Sequence, residues 1–279
     1  MALTDATGAP IGLRSWGASG RKLLMIHPSL AHSGAWAGVA AALDGAAQMR
    51  AFDLPGHGAS ADWDPARSFQ EQARAMAETV VEDWGGGPVD LLGHSFGATV
   101  ALRLAVDRPD LVRSLTLYEP VFFTAAFRAF PALEAQHDAE FADYAGAWDA
   151  GDLEGATRAF LRIWGDGRPW DALPEAQRDS FRRRIALIDA IRDTNYGDPV
   201  GMLSRGRLAA LAVPVMLMEG AESPIYVHRI NDALRIEMPR ARREVLPGAA
   251  HMGPLTHAAE VAALVADFLW DAVPLNRDF

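Results

Sequence analysis

The sequence predicts an α/β protein in which a mostly parallel sheet carries helices on both faces and a block of helices interrupts the pattern once. Three observations carry this. Short β-like runs alternate with longer helix-like segments through most of the 279 residues, the pattern of strands joined by crossover helices. Runs such as "KLLMIH" and "VDLLGH" are apolar almost throughout, as expected of strands buried on both faces. The alternation stops at about Val121 and resumes at Val213.

In chain order, "GAPIGLRSWG" supplies antiparallel edge strands and "KLLMIH", Lys22 to His27, a buried strand. "MRAFDLPGHG", Met49 to Gly58, is a further strand that ends in a Pro/Gly turn. Ser68 and Glu71 form a capping-box pattern ahead of apolar residues at helical spacing, and Gly85 stops that helix. "VDLLGH" is the next strand, "FGATVALRLAVDRP" a helix, and "VRSLTLYEP", Val112 to Pro120, a strand with an acidic end. Between about Val121 and Leu208 only helix-like segments are legible, separated by Gly and Pro. "VPVMLMEG" then resumes the strands, followed by the helix "YVHRINDALRIEM", the strand "RREVLPG" and the terminal helix "THAAEVAALVADFLWDA". No internal repeat, low-complexity tract or flexible linker is present, so the helical block is expected to pack on the sheet.

Composition narrows the chemistry. With 26 basic and 36 acidic residues the net charge is −10, which repels nucleic acid and anionic membranes. The densest basic run, "FRRRI", Phe181 to Ile185, reads as a solvated helix face. The absence of cysteine excludes disulfides, thiolate catalysis and Cys-ligated zinc or iron–sulfur sites. The N-terminus lacks a basic region followed by an apolar core, and no segment approaches the length of a membrane span, so the expected location is the cytoplasm. The expected partner is a small-molecule substrate, with neither nucleic acid nor membrane; monomer and homodimer both remain open.

The chemistry centres on "GHSFG", Gly93 to Gly97, between a strand and a helix. Gly-x-Ser-x-Gly is a weak signal by itself in a chain with 25 glycines. At a strand-to-helix junction it is strong, because a tight turn there needs nearby glycines to project a serine hydroxyl from the top of the sheet. Serine at its ordinary pKa is a poor nucleophile and needs a base, itself held by a third group. Of the eight histidines, His251 is the best placed, in a Gly-flanked loop between the last strand and the terminal helix. His257 reads as opening the terminal helix, and His57 and His94 as belonging to turns.

With "IHPSLAHSGAW", "DLPGHGAS", "GHSFG" and "GAAHMGPLTH" in this order, the chain resembles the α/β-hydrolase fold superfamily, in its branch of smaller esterases, lactonases and carbon–carbon bond hydrolases. The resemblance implies a sheet of the eight-stranded type. It implies a core of residues 1–120 and 209–279, with a helical lid, 121–208, inserted after the strand that follows the nucleophile helix. It also implies Ser95 as nucleophile, His251 as general base, and an oxyanion hole built from the backbone N–H of Phe96 and one from the loop after Ile26. Relatives carry His-Gly-x in that loop. Here the residues are His27, Pro28 and Ser29, so Ser29 is the donor by position and Leu30 the alternative. Asp53 and His57 in "DLPGHGAS" are expected to shape a turn near the site.

The triad acid departs from the common pattern. Relatives commonly place it three residues beyond the glycine that ends the strand "VPVMLMEG", and that position is Ser223. Glu119, at the end of "VRSLTLYEP", is the favoured acid, since some members of the superfamily place it there, and Glu222 is the alternative. The expected reaction is hydrolysis of a small-molecule carboxylic ester or lactone through an acyl-enzyme, without metal or organic cofactor. The alternatives are a carbon–carbon bond hydrolase of ring-cleavage diketones and a small-molecule receptor of the same fold. Aromatic residues of the insertion, Trp148, Trp164 and Phe123 among them, are expected to line the substrate pocket.

Overall fold

The structure, a computed structural model, describes residues 3–271; the outer ends of the expected core, 1–2 and 272–279, lie outside the described residues. Seven strands form one sheet in the order β1-β3-β2-β4-β5-β6-β7. They are β1 (Leu13–Trp16), β2 (Arg21–Ile26), β3 (Ala47–Phe52), β4 (Val89–His94), β5 (Val112–Tyr118), β6 (Val215–Gly220) and β7 (Arg242–Leu246). β1 runs antiparallel to β3, and every other neighbouring pair is parallel. An eight-stranded type would have one more strand, and the difference lies at the N-terminus. There the expected set of edge strands reduces to β1, with a single bridge between Thr4 and Pro10. Proline has no N–H with which to extend a ladder.

Helices cover both faces because the buried strands present apolar side chains alternately to each. On β2, Leu24 and Ile26 join the layer under α2 (Phe69–Asp83), α3 (Phe96–Asp107) and α11 (Ile225–Glu237). Leu23 and Met25 join the opposite layer, under α1 (Ala37–Ala42) and α12 (Ala258–Asp271). Ser68 caps α2 by accepting from the Glu71 N–H at 3.5 Å.

Between β5 and β6 there is no strand among the described residues. The interval holds α4 (Phe123–Ala129), α5 (Ala132–Glu140), α6 (Ala142–Asp149), α7 (Leu153–Trp164), α8 (Glu175–Arg184), α9 (Ala186–Ala190) and α10 (Arg192–Gly197). No helix of the described residues is long and apolar enough to cross a membrane.

The sheet order also locates the site. From β2 the chain crosses to β3 on one side, and from β4 to β5 on the other, although β2 and β4 are direct neighbours with Ile26 beside Gly93. The loops leaving the C-terminal ends of β2 and β4 therefore diverge and leave a crevice, the usual ligand position in an open parallel sheet.

Candidate active site

β4 ends at His94 and α3 begins at Phe96, so Ser95 alone makes the turn. It does so in a strained conformation, φ 55° and ψ −121°, which a residue other than glycine adopts only where its surroundings enforce it. The flanking glycines are explained by close approach. A Cβ on Gly93 would lie 2.5 Å from Ala98 Cα, and one on Gly97 would lie 2.3 Å from the Ile26 carbonyl oxygen. The Ser95 N–H is tied to the Tyr118 carbonyl at 2.9 Å. Its hydroxyl has no protein hydrogen-bond partner among the described residues, and it stands at the positive end of the α3 dipole.

His251 approaches from the loop after β7, which is pinned from beneath. Tyr118 Oη donates to the Ala250 carbonyl at 2.9 Å, and His94 Nε2 donates to the His251 carbonyl at 2.7 Å. Burial holds the His94 pKa well below its ordinary value, with the neighbouring His251 adding to the effect, so His94 is a neutral donor at neutral pH. The sequence placed His94 in a turn; it is the last residue of β4, and its bond to the His251 loop could not be read from the sequence. The imidazole of His251 donates from Nδ1 to Glu119 Oε2 at 2.7 Å. That bond fixes the tautomer that leaves Nε2 free to accept a proton.

Glu119 directly follows β5, is fully buried and has φ 49°. Its other oxygen, Oε1, accepts from the Gly220 N–H at 2.7 Å and from the Ser223 hydroxyl at 2.5 Å. Ser223, at the address where relatives commonly carry the acid, thus donates to the carboxylate of the other address. Glu222 is exposed and its carboxylate makes no hydrogen bond among the described residues; the alternative acid is not brought to His251.

The two candidate oxyanion amides are Phe96 N, the first unpaired donor of α3, and Ser29 N in the loop after β2. Neither donates to a protein acceptor among the described residues. The alternative donor is committed elsewhere, because the Leu30 N–H donates to His57 Nε2 at 3.1 Å. His57 in turn bonds the Pro55 carbonyl through Nδ1 at 2.8 Å. The neighbouring His27 does the same, with Nδ1 on the Pro28 carbonyl and Nε2 accepting from the Leu54 N–H. Burial pushes the pKa of His27 down to about 4 and that of His57 to about 3. Asp53 accepts from the N–H groups of Ser33 and Ala59 at 2.7 and 2.9 Å. Asp53 and His57 therefore fasten the loop after β2 to the turn after β3.

Ser29, Ser95 and His251 line one cavity of about 1030 Å³, together with Phe123, Trp148 and Trp164 of the helical interval. Trp164, at the end of α7, packs edge-on against the His251 imidazole with ring centroids 4.6 Å apart. No group of His, Cys, Asp or Glu side chains that could hold a metal ion occurs among the described residues.

The chain belongs to the alpha/beta hydrolase family, whose model matches residues 23–264. It is a hydrolase of that family. It is 30% identical over 259 residues to the pimeloyl-(acyl-carrier protein) methyl ester esterase of Methylococcus capsulatus, covering 90% of this chain and 95% of that protein. A protein of the same name from Neisseria meningitidis is 32% identical over 235 residues, 79% of this chain and 82% of its own length. Among solved structures, an alpha/beta hydrolase from Sphaerobacter thermophilus superposes with a TM-score of 0.71 at 19% identity, over 96% of this chain and all of that one.

Proposed function

We propose that this hydrolase cleaves a small-molecule carboxylic ester through an acyl-enzyme formed on Ser95. The observation that carries the reading is the buried 2.7 Å bond from His251 to Glu119, at a histidine that shares its cavity with Ser95. The names of the relatives, methyl ester esterases, support the bond type.

In this mechanism Ser95 Oγ attacks the ester carbonyl as His251 Nε2 takes its proton. Glu119, held by Gly220 and Ser223, balances the imidazolium that forms. The amides of Phe96 and Ser29 receive the developing oxyanion; unpaired donors cost no rearrangement when charge appears. Return of the proton from Nε2 to the departing alkoxide leaves the acyl-enzyme. Water then repeats the sequence in reverse and frees the acid. A lactone would follow the same steps. The helical interval acts as a lid that excludes water and shapes the acyl pocket with its aromatic side chains.

Hydrolysis of p-nitrophenyl esters of graded acyl length, with a ring-fission diketone alongside, tests the reading. Ester turnover should fall by about 10⁴- to 10⁶-fold in Ser95→Ala, and labelling by a fluorophosphonate should disappear with it. Labelling of the variant as complete as that of the wild type would place the nucleophile elsewhere. Turnover of the diketone alone would give the site to carbon–carbon bond hydrolysis.

A further inference from the structure

The run "FRRRI" divides between two environments. Arg182 bonds Glu154 and Glu175 at 2.9 and 2.6 Å, and also Asp179, while Arg183 is exposed. Arg183 is the solvated side chain expected from the sequence, whereas Arg182 is half-buried, taken up by its acids and lying over the Trp170 ring. Arg184, also half-buried, lines the cavity that holds Ser95. Its Nε donates to the Gly56 carbonyl at 3.1 Å, and a terminal nitrogen bonds the Ser180 hydroxyl. These two bonds fix the guanidinium and leave three of its five N–H donors unused.

No carboxylate oxygen of the described residues lies within 4.0 Å of that guanidinium. The nearby acid is Asp53, whose oxygens are already taken by the Ser33 and Ala59 amides. Other acids lining the cavity stand apart: Glu134, Asp138, Asp149 and Asp189 are exposed, and Asp166 is paired with Arg168. A guanidinium taken partly out of water without a carboxylate partner is costly unless a ligand supplies one. Burial lowers its pKa, but an arginine still carries its charge at neutral pH.

We propose that Arg184 is a specificity-determining residue that binds a carboxylate on the substrate, so that the preferred ester carries an anionic group held between α8 and the oxyanion loop. The inference rests on the ester-hydrolase reading and adds to it the class of substrate. The guanidinium suits a carboxylate because its remaining donors can meet both oxygens. Of the other arginines lining the cavity, Arg168 is paired with Asp166 and Arg192 is exposed, so Arg184 is the half-buried one.

The test compares two esters of equal acyl length, p-nitrophenyl valerate and mono-p-nitrophenyl glutarate. The wild type should favour the glutarate ester, and added NaCl should lower that preference. In Arg184→Gln the ratio of kcat/KM, glutarate over valerate, should fall by about 10- to 100-fold, the scale of a lost charge-assisted hydrogen bond. Arg184→Lys, which keeps the charge, should fall less. Binding of monomethyl glutarate to Ser95→Ala protein, by calorimetry, should weaken to the same degree when Arg184→Gln is added. A wild-type ratio that ignores salt, or a ratio and a binding constant unmoved by Arg184→Gln, would overturn the proposal and leave Arg184 a clamp between α8 and Gly56. If monomethyl glutarate binds through Arg184 but neither ester turns over, the anion subsite stands and the ester reading fails.

Discussion

The two walls of the cavity are built differently. On the sheet side every residue of β4 is buried, Glu119 is completely so, and each oxygen of its carboxylate has a donor. On the helical side α6, α8 and α9 contain no buried residue, and the cavity lining mixes aromatic side chains such as Trp148 and Phe160 with aliphatic and polar ones such as Ile188 and Arg184. Chemistry needs groups held to fractions of an ångström, which saturated hydrogen bonding on a packed sheet provides. Selection among substrates needs only shape and a few polar contacts, which short helices supply. The two walls meet at several points, Trp164 against His251 and Arg184 on the Gly56 carbonyl among them.

The sharpest test of the sheet wall is Glu119→Gln, which keeps the shape and removes the charge. An equivalent change in a serine triad lowers the rate by about 10⁴-fold, and a loss of that order is expected in kcat for every ester, with Glu222→Gln close to wild type. Steady-state kinetics on both variants decides it; the reverse ranking would move the acid to Glu222. Ser223→Ala should cost less, about 10-fold, because the Gly220 amide still holds Oε1. Trp164→Ala should reveal the contact with His251. It should shift the acyl-length optimum and also lower kcat toward an acetate ester, since the imidazole loses a packing partner. A change in the optimum alone would make Trp164 only a pocket wall.

A smaller effect separates the walls by stability. His27 and His57 are neutral when folded, with pKa values of about 4 and about 3, and each ring uses Nε2 as an acceptor. The unfolded chain takes up these protons near the ordinary value of about 6.5. Between those values the unfolded state therefore binds more protons. Their contribution to stability is complete above about pH 6.5 and is lost as the pH falls toward 4 and then 3. Denaturant midpoints at pH 7.5 and 5 should show this, and His57→Gln, which still offers the Leu30 amide an acceptor, should flatten the difference. An equal slope in the variant would place the acid sensitivity elsewhere.

How much of this was legible beforehand follows the same division. The sheet wall announced itself through local signals: Gly-x-Ser-x-Gly at a strand–helix junction, a histidine in the last loop, and a glutamate closing a strand. The missing acid at Ser223 was visible as a departure. That its hydroxyl donates to Glu119 was not, because the two lie 104 positions apart and no local pattern links them. His57 showed the same limit: its turn was legible, its bond to the Leu30 amide was not. On the helical side composition gave the aromatic supply, and the break in the strand pattern gave the strand-free interval between β5 and β6. Which residues face inward was hidden, since in short helices a basic run such as Arg182, Arg183 and Arg184 has the same composition on either face.

The claim that one wall carries the chemistry and the other the selection is tested most directly by one measurement. Profiles of kcat/KM across p-nitrophenyl esters from acetate to decanoate would be taken for wild type, Glu119→Gln and Trp148→Ala. The account predicts that Glu119→Gln lowers the whole profile without changing its shape. Trp148→Ala, at a ring that stacks on Tyr144 and not on the imidazole, should shift the optimum by a contact worth about 1–3 kcal/mol per methylene-sized change, with the acetate rate close to wild type. A Trp148→Ala profile of unchanged shape in a folded protein, or a Glu119→Gln profile that changes shape, would contradict it.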